Sequence, residues 1–379
     1  MLNGKPIHLM GIGGIGMSGL ARILVEGGHA VNGCDIKGNA RLEQQGIRVA
    51  LGHHPNHLSG DVGLVVYSSA VSQHEAELLA ARARGIKTIS RGELLAEVAS
   101  TKQLVAVAGA HGKTTTSGMS AQLLIQAGWD PTVVVGGNML SLGSNARHGR
   151  GRYLVAETDE SDGSFLLLHP AVAIITNIDR EHLNYYQSFE NLVSAFRRFV
   201  SQLGPQGILI RCEDDPVIRD VLTHPNQLSY GFTRQADVRL TEIRPRGLGS
   251  EFAANYRGAR LGTFRLKIPG AHNVLNALGV IGLGLALHIP LTVVREALWA
   301  FRGTSRRFQL TQLPNDVWFV EDYAHHPSEI QATLDADPFS ARHRMVVFQP
   351  HRFSRTKLLE DEFTRCFDRA DGVIVTDID

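Results

Sequence analysis

The sequence has few cysteines, with only Cys34, Cys212 and Cys366 in 379 residues. No two of them stand at the short spacing of a redox pair or a zinc-binding motif. A secreted chain held together by disulfides would need more cysteines at closer spacing. The cysteine content therefore favours a reducing compartment, and we expect a cytoplasmic protein.

The chain also lacks an excess of either charge and a long apolar run. Lysine and arginine number 38, aspartate and glutamate number 37, and the formal net charge is +1. That balance offers no basic field, so we expect no nucleic-acid partner. The most apolar stretch, residues 277–287, is about half as long as the roughly 20 residues that a membrane span needs, and residues 1–5 do not resemble a signal peptide. We expect no membrane partner and interpret residues 277–287 as a buried helix.

The composition is that of a globular protein, with a repeated strand–helix pattern. A chain of this length, with 43% hydrophobic residues, should form two or three domains. Short apolar runs alternate with helix-like segments, which is typical of an α/β fold with parallel sheets. We predict units at residues 1–100, 101–302 and 303–379. Because the sequence ends just after the apolar strand at residues 372–376, we expect the third unit to be either incomplete or unusually small.

The most informative segment is an apolar strand that runs into a glycine loop. Gly109, Gly112, Lys113 and Thr114 form a compact Gly-x-x-Gly-Lys-Thr pattern, whereas Val107 stands where the longer form of this motif has its first glycine. The glycines let backbone N–H groups surround an anion, the lysine brings positive charge to phosphates, and the threonine hydroxyl can bind Mg²⁺. A helix-compatible run follows the loop. We therefore predict a nucleotide-binding phosphate loop.

A second glycine loop, residues 11–16, has the full Gly-x-Gly-x-x-Gly pattern between a strand and a helix. Asp35 closes the next strand, at about the spacing of an acid that binds a ribose. The motif is compatible with NAD. Physically it is a diphosphate cradle at the start of a helix, so a UDP-sugar is equally admissible.

Carboxylates are concentrated at residues 157–162, Glu-Thr-Asp-Glu-Ser-Asp, after an apolar strand. Their mutual repulsion is costly unless a cation or another positive partner lies beside them, and we predict a magnesium site with Glu157 as its first ligand. Asn177, Asp179 and His182 follow the next strand and should reach the same sheet edge, with His182 as a candidate ligand of a second metal. The alternatives are a solvated acidic loop and a surface histidine.

Further candidates lie in the last third of the chain. Two asparagines, at positions 273 and 276, begin the apolar helix, where they could cap it or bind a purine edge. Polar segments at residues 304–308, 322–327 and 351–356 carry arginine pairs and histidines. Such arginines can bind carboxylate or phosphate in a bidentate manner, or can simply lie on the surface.

As a set, and in this order, these motifs resemble those of the Mur ligase family of peptidoglycan synthesis, most closely its alanine-adding branch. The segments that carry the resemblance are residues 11–19, 109–115, 157–162, 179–182, 272–276, 306–308, 322–327 and 348–356. The resemblance implies three domains: a Rossmann-like domain for the UDP of a sugar nucleotide, a central ATPase domain, and a dinucleotide-fold domain that closes over ATP. Several members position Mg²⁺ with a carbamoylated lysine, but this chain has no lysine between Lys113 and Lys267.

The resemblance also implies roles for individual residues. It implies ATP binding by Gly109, Ala110, His111, Gly112, Lys113, Thr114, Thr115, Asn273, Asn276, Arg307 and Asp322. It implies substrate binding by Gly11, Gly13, Gly14, Ile15, Gly16, Asp35, Ser69, Asn177, Tyr323, His325, Arg352 and Arg355. Two Mg²⁺ ions would be held by Thr114, Glu157 and His182, and the catalytic residues would be Lys113, Glu157, His182, His325, Arg352 and Arg355.

The implied reaction is ATP-dependent ligation of L-alanine to the lactyl carboxylate of UDP-N-acetylmuramate through an acyl phosphate. We expect it in a bacterial cytoplasm, by a monomer or a weak homodimer. Ala110 and Asn184 stand where the family commonly has threonine and aspartate. The alternatives are a recycling ligase that adds a peptide, a catalytically weak UDP-sugar-binding protein, and an NAD-dependent dehydrogenase that would leave the Lys113 loop without a role.

Overall fold

The computed structural model describes residues 4–339 and 343–378. Its N-terminal part is a five-stranded parallel sheet in the order β3-β2-β1-β4-β5. The strands are β1 (Ile7–Met10), β2 (Val31–Asp35), β3 (Arg48–Leu51), β4 (Leu64–Tyr67) and β5 (Lys87–Ser90). The helices between and after them are α1 (Ile15–Glu26), α2 (Ala40–Glu43), α3 (Ala76–Ala83) and α4 (Arg91–Ser100), with a 3₁₀ turn at Pro55–Leu58.

The central part is a ten-stranded sheet in the order β15-β14-β13-β12-β11-β10-β6-β9-β7-β8. Its strands are β6 (Gln103–Ala108), β7 (Thr132–Met139), β8 (Ser144–Arg147), β9 (Tyr153–Glu157), β10 (Val172–Ile175), β11 (Ile208–Cys212), β12 (Gln227–Gly231), β13 (Val238–Arg246), β14 (Gly249–Tyr256) and β15 (Ala259–Leu266). Its helices are α5 (Lys113–Gln126), α6 (Leu183–Tyr186), α7 (Phe189–Ser201), α8 (Pro216–Val221), α9 (Ala271–Ala286) and α10 (Leu291–Ala300), with a 3₁₀ turn at Ser164–Leu167. The strands from β12 to β7 run parallel, whereas β14, β15 and β8 pair antiparallel with their neighbours.

The C-terminal part contains two small sheets. An antiparallel pair joins β16 (Gln309–Gln312) to β17 (Trp318–Glu321), and a parallel pair joins β18 (Met345–Phe348) to β19 (Gly372–Val375). The helices are α11 (Pro327–Asp335), α12 (Phe353–Leu358) and α13 (Glu360–Phe363).

The N-terminal and central sheets share one hydrophobic core. Helices α1 and α4 cover one face of the N-terminal sheet, and α1 also packs against β7 and β8. The opposite face, covered by α3, encloses a separate small core. The parallel strands β6, β9 and β10 are adjacent and in register, since Val105 pairs with both Val155 and Val172. The loops after these three strands therefore meet at one edge, which positions the site described below.

The α/β architecture with a parallel core is confirmed, and so is the buried helix, which is α9. Sequence analysis did not identify the antiparallel meander β13–β15. No described helix is long and apolar enough to cross a membrane. The boundaries at residues 100 and 302 stay a prediction, although β6 begins at Gln103 and a glycine, Gly303, follows α10.

Candidate active site

The phosphate loop joins β6 to α5, and both of its glycines are required sterically. Gly109 has φ +137°, and a Cβ there would lie 2.1 Å from Thr176 Oγ1. Gly112, the N-cap of α5, has φ +77°, and a Cβ there would lie 2.6 Å from Asn276 Oδ1. The loop therefore packs so closely against its neighbours that only glycine fits at these two positions.

Asn177 braces this loop from the end of β10. Its Oδ1 accepts a hydrogen bond from His111 N at 2.7 Å, and its Nδ2 donates to His111 O at 3.1 Å. Ala110 N donates to the backbone carbonyl of Asn177 at 3.0 Å. In this state the Asn177 amide holds the loop, and the direct contact with substrate expected for it stays a prediction.

Lys113, the first residue of α5, folds back over the loop. Its Nζ donates to the carbonyl of Ala110 at 2.9 Å and to Glu160 Oε1 at 2.7 Å. Burial alone would lower the pKa of Lys113, but attraction by Glu160 outweighs it and raises that pKa. Burial raises the pKa of Glu160 to about 7 in spite of the lysine. The ammonium group thus stays charged at neutral pH, as a phosphate site needs.

Thr114 and Glu157, the predicted magnesium ligands, lie in contact with each other. Thr114 Oγ1 donates to Glu157 Oε1 at 3.0 Å, and Gly136 N donates to Glu157 Oε2 at 2.6 Å. A hydroxyl and a carboxylate oxygen side by side next to a phosphate loop are oxygen ligands of the type Mg²⁺ prefers. These residues therefore fit the ion.

A second group that could hold a cation consists of Glu160, Glu181 and His182. One ligand atom from each lies within 4.8 Å of the others. Glu160 Oε2 is buried without a hydrogen-bond partner among the described residues, which leaves an oxygen available for a ligand. Burial lowers the pKa of His182, so its imidazole is neutral and can donate a lone pair. His182 is the N-cap residue of α6, and its φ of +57° is unusual for a residue other than glycine.

The acidic segment after β9 has a positive partner that sequence analysis did not identify. Arg91, at the start of α4, lies 2.9 Å from Asp159 and 3.7 Å from Asp162. The side chain of Arg91 also borders Gly16, where a Cβ would lie 3.2 Å from its Cδ. Arg91 therefore links the N-terminal glycine loop to the acidic segment and offsets part of the carboxylate repulsion.

The N-terminal glycine loop leads into α1 and is held by Asp35. Gly13 N donates to Asp35 Oδ2 at 2.8 Å, and a Cβ on Gly13 would lie 2.9 Å from the same oxygen. The Asp35 carboxylate thus supports the loop in this state, and its predicted substrate contact is untested. At the end of β4, Ser68 rather than the predicted Ser69 lines the cavity beside the loop.

A cavity of about 450 Å³ connects all three parts of the chain. Its lining includes the first glycine loop at Gly14–Gly16, the phosphate loop at Lys113 and Thr114, and the C-terminal segment at 305–307. A second cavity, of about 200 Å³, adjoins Lys113 and Glu160. The C-terminal residues on its lining are Arg307, Tyr323, His325, Glu329, His351, Arg352 and Arg355.

The predicted C-terminal residues gather around these cavities. The guanidinium carbons of Arg306 and Arg307 lie 5.0 and 5.7 Å from the centre of the Tyr323 ring. Arg355 lies 3.3 Å from Glu181 of the central part. Burial lowers the pKa of His325 to about 4, so this side chain is neutral near pH 7.

Two of the residues predicted to bind ATP instead hold local structure in this state. Asp322 accepts hydrogen bonds from Phe308 N at 2.8 Å and Ala324 N at 2.7 Å, which fixes the turn after β17. Asn273 Nδ2 donates to the carbonyl of Pro269 at 2.7 Å at the start of α9. Their contacts with the nucleotide stay predictions.

Two further contacts, His111 with Glu329 and His326 with Asp179, join the central and C-terminal parts, and His111 also contacts Asp179 within the central part. His111 Nδ1 lies 3.2 Å from Glu329 Oε1, and His111 Nε2 lies 2.9 Å from Asp179 Oδ2. His326 Nδ1 lies 3.8 Å from the same Asp179 oxygen. Glu329, like Glu160, Glu181 and Arg91, was not among the predicted site residues. The acidic segment and the segment at 179–182 pointed to Glu160 and Glu181, whereas nothing in the sequence distinguished Arg91 or Glu329.

Comparisons with known proteins agree with this geometry. Profiles described as "Mur ligase family, catalytic domain", "Mur ligase middle domain" and "Mur ligase, glutamate ligase domain" match residues 6–103, 107–284 and 306–379. The chain is 45% identical over 381 residues to the UDP-N-acetylmuramate--L-alanine ligase of Geobacter sp. (strain M21), covering 99% of this chain and 82% of that protein.

Solved structures give the same family. The fold matches the crystal structure of UDP-N-acetylmuramate-alanine ligase from Thermotoga maritima with a TM-score of 0.87 and 32% identity, covering 99% of this chain and 85% of that one. It matches a murein peptide ligase from Psychrobacter arcticus with a TM-score of 0.80 and 26% identity, covering 98% and 84%. On its motifs, its three-part fold and these matches, the chain belongs to the Mur ligase family.

Proposed function

We propose that this protein ligates L-alanine to the lactyl carboxylate of UDP-N-acetylmuramate at the expense of ATP, in peptidoglycan synthesis. The observation that carries the proposal is the 450 Å³ cavity, which runs from the Gly14–Gly16 diphosphate cradle to Lys113 of the phosphate loop. A sugar nucleotide bound at the first loop would extend toward phosphates bound at the second. The two substrates would meet beside Tyr323 and Arg307, which line the same cavity.

The chemistry follows from the charges around Lys113. A carboxylate oxygen of the sugar nucleotide attacks the γ-phosphorus, the bond to ADP breaks, and an acyl phosphate forms. The L-alanine amine then attacks the acyl carbon, phosphate leaves, and the amine loses a proton. Lys113, in the phosphate loop, offsets charge on the transferring group.

Magnesium is supported by the donor atoms at this site. Thr114 and Glu157 would hold one ion, and Glu160, Glu181 and His182 offer a second position. Bound there, Mg²⁺ would neutralise phosphate charge. Arg355 beside Glu181, together with Arg352 and the neutral His325, would position the carboxylate and the amine.

The closest competing function is the addition of an intact peptide to the same sugar nucleotide. The fold similarity to a murein peptide ligase motivates this alternative, but both the TM-score and the identity are lower than for the alanine ligase structure. We retain the three-unit division at residues 100 and 302, a bacterial cytoplasmic location, and a monomeric or weakly dimeric state as parts of the proposal.

The decisive experiment measures phosphate release from ATP and Mg²⁺ with UDP-N-acetylmuramate, alone, with L-alanine, and with a murein peptide. We expect release that depends on L-alanine and a product heavier by one alanyl residue in mass spectrometry. Release that depends on the peptide instead would establish the recycling function. Binding of the sugar nucleotide without release in any arm would reduce the protein to a UDP-sugar binder.

A further inference from the structure

A second cluster of ligand-type side chains lies away from the active site, on the face of the N-terminal sheet that α3 covers. We call it the histidine–cysteine–glutamate cluster, and it comprises His8, Cys34, His57 and Glu77. His8 lies on β1, Cys34 on β2, His57 in the 3₁₀ turn at Pro55–Leu58, and Glu77 on α3. His8, Cys34 and Glu77 are buried. None of the four takes part in the proposed ligation.

The four side chains converge on one point. His8 Nε2 lies 2.9 Å and His57 Nδ1 3.3 Å from Glu77 Oε1, and Cys34 Sγ lies 3.1 Å from Glu77 Oε2. One ligand atom from each residue lies within 4.8 Å of all the others. Four separate elements thus bring two nitrogens, a sulfur and a carboxylate to one small volume.

Several of these atoms are buried without a hydrogen-bond partner. His8 Nε2, His57 Nδ1 and Glu77 Oε1 form no hydrogen bond within the described part of the chain. On the other side of the His8 ring, Nδ1 lies 2.5 Å from Asn32 Oδ1, which can only accept. Nδ1 therefore carries the hydrogen, and a neutral His8 turns the lone pair of Nε2 toward the carboxylate. Two acceptors facing each other repel unless a proton or a metal ion lies between them.

The charge of the cluster is also unbalanced. Among the described residues, every ion pair of Glu77 is made with a histidine, namely His8, His53 or His57. A buried carboxylate without arginine or lysine is costly. A dication bound by this carboxylate and a cysteine thiolate would leave the buried cluster neutral, with both histidines uncharged.

We propose that the histidine–cysteine–glutamate cluster is a structural site for a divalent transition metal of the zinc type. Thiolate, imidazole and carboxylate are the ligand types that Zn²⁺ accepts in a tetrahedral set, and the Asn32 contact is the kind of outer hydrogen bond that orients a ligating histidine. His53 Nδ1, 3.0 Å from Cys34 Sγ, is placed to donate to the sulfur. Because the protein supplies all four ligands, no position is open for a substrate.

The site lies directly behind the first glycine loop. Gly11 N and Ile12 N donate to the carbonyl of Cys34 at 2.9 and 3.2 Å. The next residue, Asp35, holds Gly13. A metal bound to Cys34 would therefore fix the end of β2 on which the loop rests.

Cobalt substitution tests this site in the full chain. After dialysis against a chelator, the protein is titrated with Co²⁺, which absorbs in the near ultraviolet only when a thiolate is bound and gives strong visible bands in a tetrahedral site. We expect both signals to saturate at one equivalent, to disappear on addition of Zn²⁺, and to persist in excess Mg²⁺, which prefers oxygen ligands. Within residues 4–339 and 343–378, Cys212 and Cys366 belong to no cluster of ligand atoms, so the thiolate band reports Cys34.

Substitutions at the cluster distinguish a metal site from a metal-free network of hydrogen bonds. Cys34→Ser should lose the thiolate band, and His57→Ala, at a half-buried position, should bind Co²⁺ at least tenfold more weakly. His74→Ala, an exposed histidine outside the cluster, is the matched control and should bind like wild type. Absence of the thiolate band in wild type, or its survival in Cys34→Ser, would overturn the proposal and leave a protonated network. The absorption is independent of ligase activity.

Discussion

At the scale of single residues, Lys113 and Glu160 form an ion pair inside the active site. Their side chains are 15% and 3% exposed, and removing one partner of such a pair leaves the other charge uncompensated. The pair lies where the proposed phosphates would bind. We therefore expect the lysine to exchange its contact with Glu160 for the phosphates during turnover.

Substituting Lys113→Ala should abolish ligation but leave sugar-nucleotide binding near normal. The lysine faces the phosphate loop, and the first glycine loop is formed by other residues. Loss of one such charge lowers kcat by about 10²–10³-fold. Phosphate release and calorimetric binding of UDP-N-acetylmuramate measure the two effects. Lys5→Ala removes an exposed ion pair with Asp61 and serves as the control; a large loss of sugar-nucleotide affinity in Lys113→Ala would refute our assignment of the two loops.

Glu157→Gln should raise the Mg²⁺ concentration needed for half-maximal activity. The substitution keeps the size of the side chain and removes the charge beside Thr114 Oγ1. We expect an increase of about tenfold or more. Activity is measured across a Mg²⁺ titration, with the exposed Glu190→Gln as control. An unchanged Mg²⁺ dependence would exclude Glu157 as a ligand.

Residue identity indicated the candidate active site but did not indicate the second cluster. The pattern around Lys113 is contiguous, so its chemistry can be recognised from the chain alone. Cysteine spacing predicted no metal motif, because the possible partners of Cys34 are histidines and a glutamate from three other elements. Only folding brings such ligands together.

At the scale of elements, α4 is packed tightly between the two sheets. A Cβ on Gly92 would lie 2.5 Å from Ser164 Cβ in the 3₁₀ turn that follows the acidic segment. The preceding residue, Arg91, binds that same segment through Asp159. The absence of a Cβ at Gly92 thus allows α4 to approach the loop that carries Glu160.

Gly92→Ala should destabilise the protein by about 1–2 kcal/mol. The added methyl group would push α4 away from the 3₁₀ turn. The resulting loss of packing energy outweighs the gain from the higher helix propensity of alanine. Thermal unfolding followed by circular dichroism is the measurement. Gly38→Ala is the matched control, because a Cβ there meets nothing within 4 Å. Equal melting temperatures for the two variants would show that the contact is not tight.

The parallel strands were easier to predict than the antiparallel ones. Strands β6, β9 and β10 are apolar along their length, because helices cover both faces of a parallel sheet. In β13, by contrast, most residues after Val238 are exposed or half-buried. A strand with so few buried residues carries little hydrophobic pattern, and so the meander β13–β15 was not recognised.

At the scale of the whole molecule, the C-terminal part is held to the central part by charged contacts around His111. Burial alone would lower the pKa of His111, but hydrogen bonds to Asp179 and Glu329 raise it from 6.5 to about 10. Burial would raise the pKa of Glu329, and His111 beside it holds that pKa well below its ordinary value. The contact is therefore an ion pair at neutral pH.

Glu329→Gln should loosen the contact between the two parts and lower ligase activity. The carboxylate also accepts from His325 N at 3.1 Å and lies 3.6 Å from Arg307, so several contacts weaken together. We expect a larger radius of gyration in small-angle scattering and a loss of about 1–3 kcal/mol in the free energy of the contact. Glu296→Gln, which removes an exposed carboxylate from α10, is the control.

The difference in melting temperature between wild type and Glu329→Gln should decrease as the pH rises above about 6.5. The pKa of His111 rises from 6.5 in the unfolded chain to about 10 in the folded protein. Its contribution to the stability of the folded state is therefore complete below pH 6.5 and is lost as the pH rises through about 10. The Glu329 carboxylate contributes above about pH 4.5 and less below it. The difference in melting temperature should thus be largest near pH 5–6.5 and decline toward pH 10. A difference that grows with pH would contradict this ion pair.

The sequence by itself determined the α/β fold, the two glycine loops and the family, because these depend on short contiguous patterns. The tertiary structure alone decided which side chains oppose one another. Glu160 faces Lys113, Arg91 joins α4 to the acidic segment, and Glu329 meets His111 across 218 positions of sequence. Such pairs depend on how separate elements pack, and this packing cannot be inferred from a local sequence pattern.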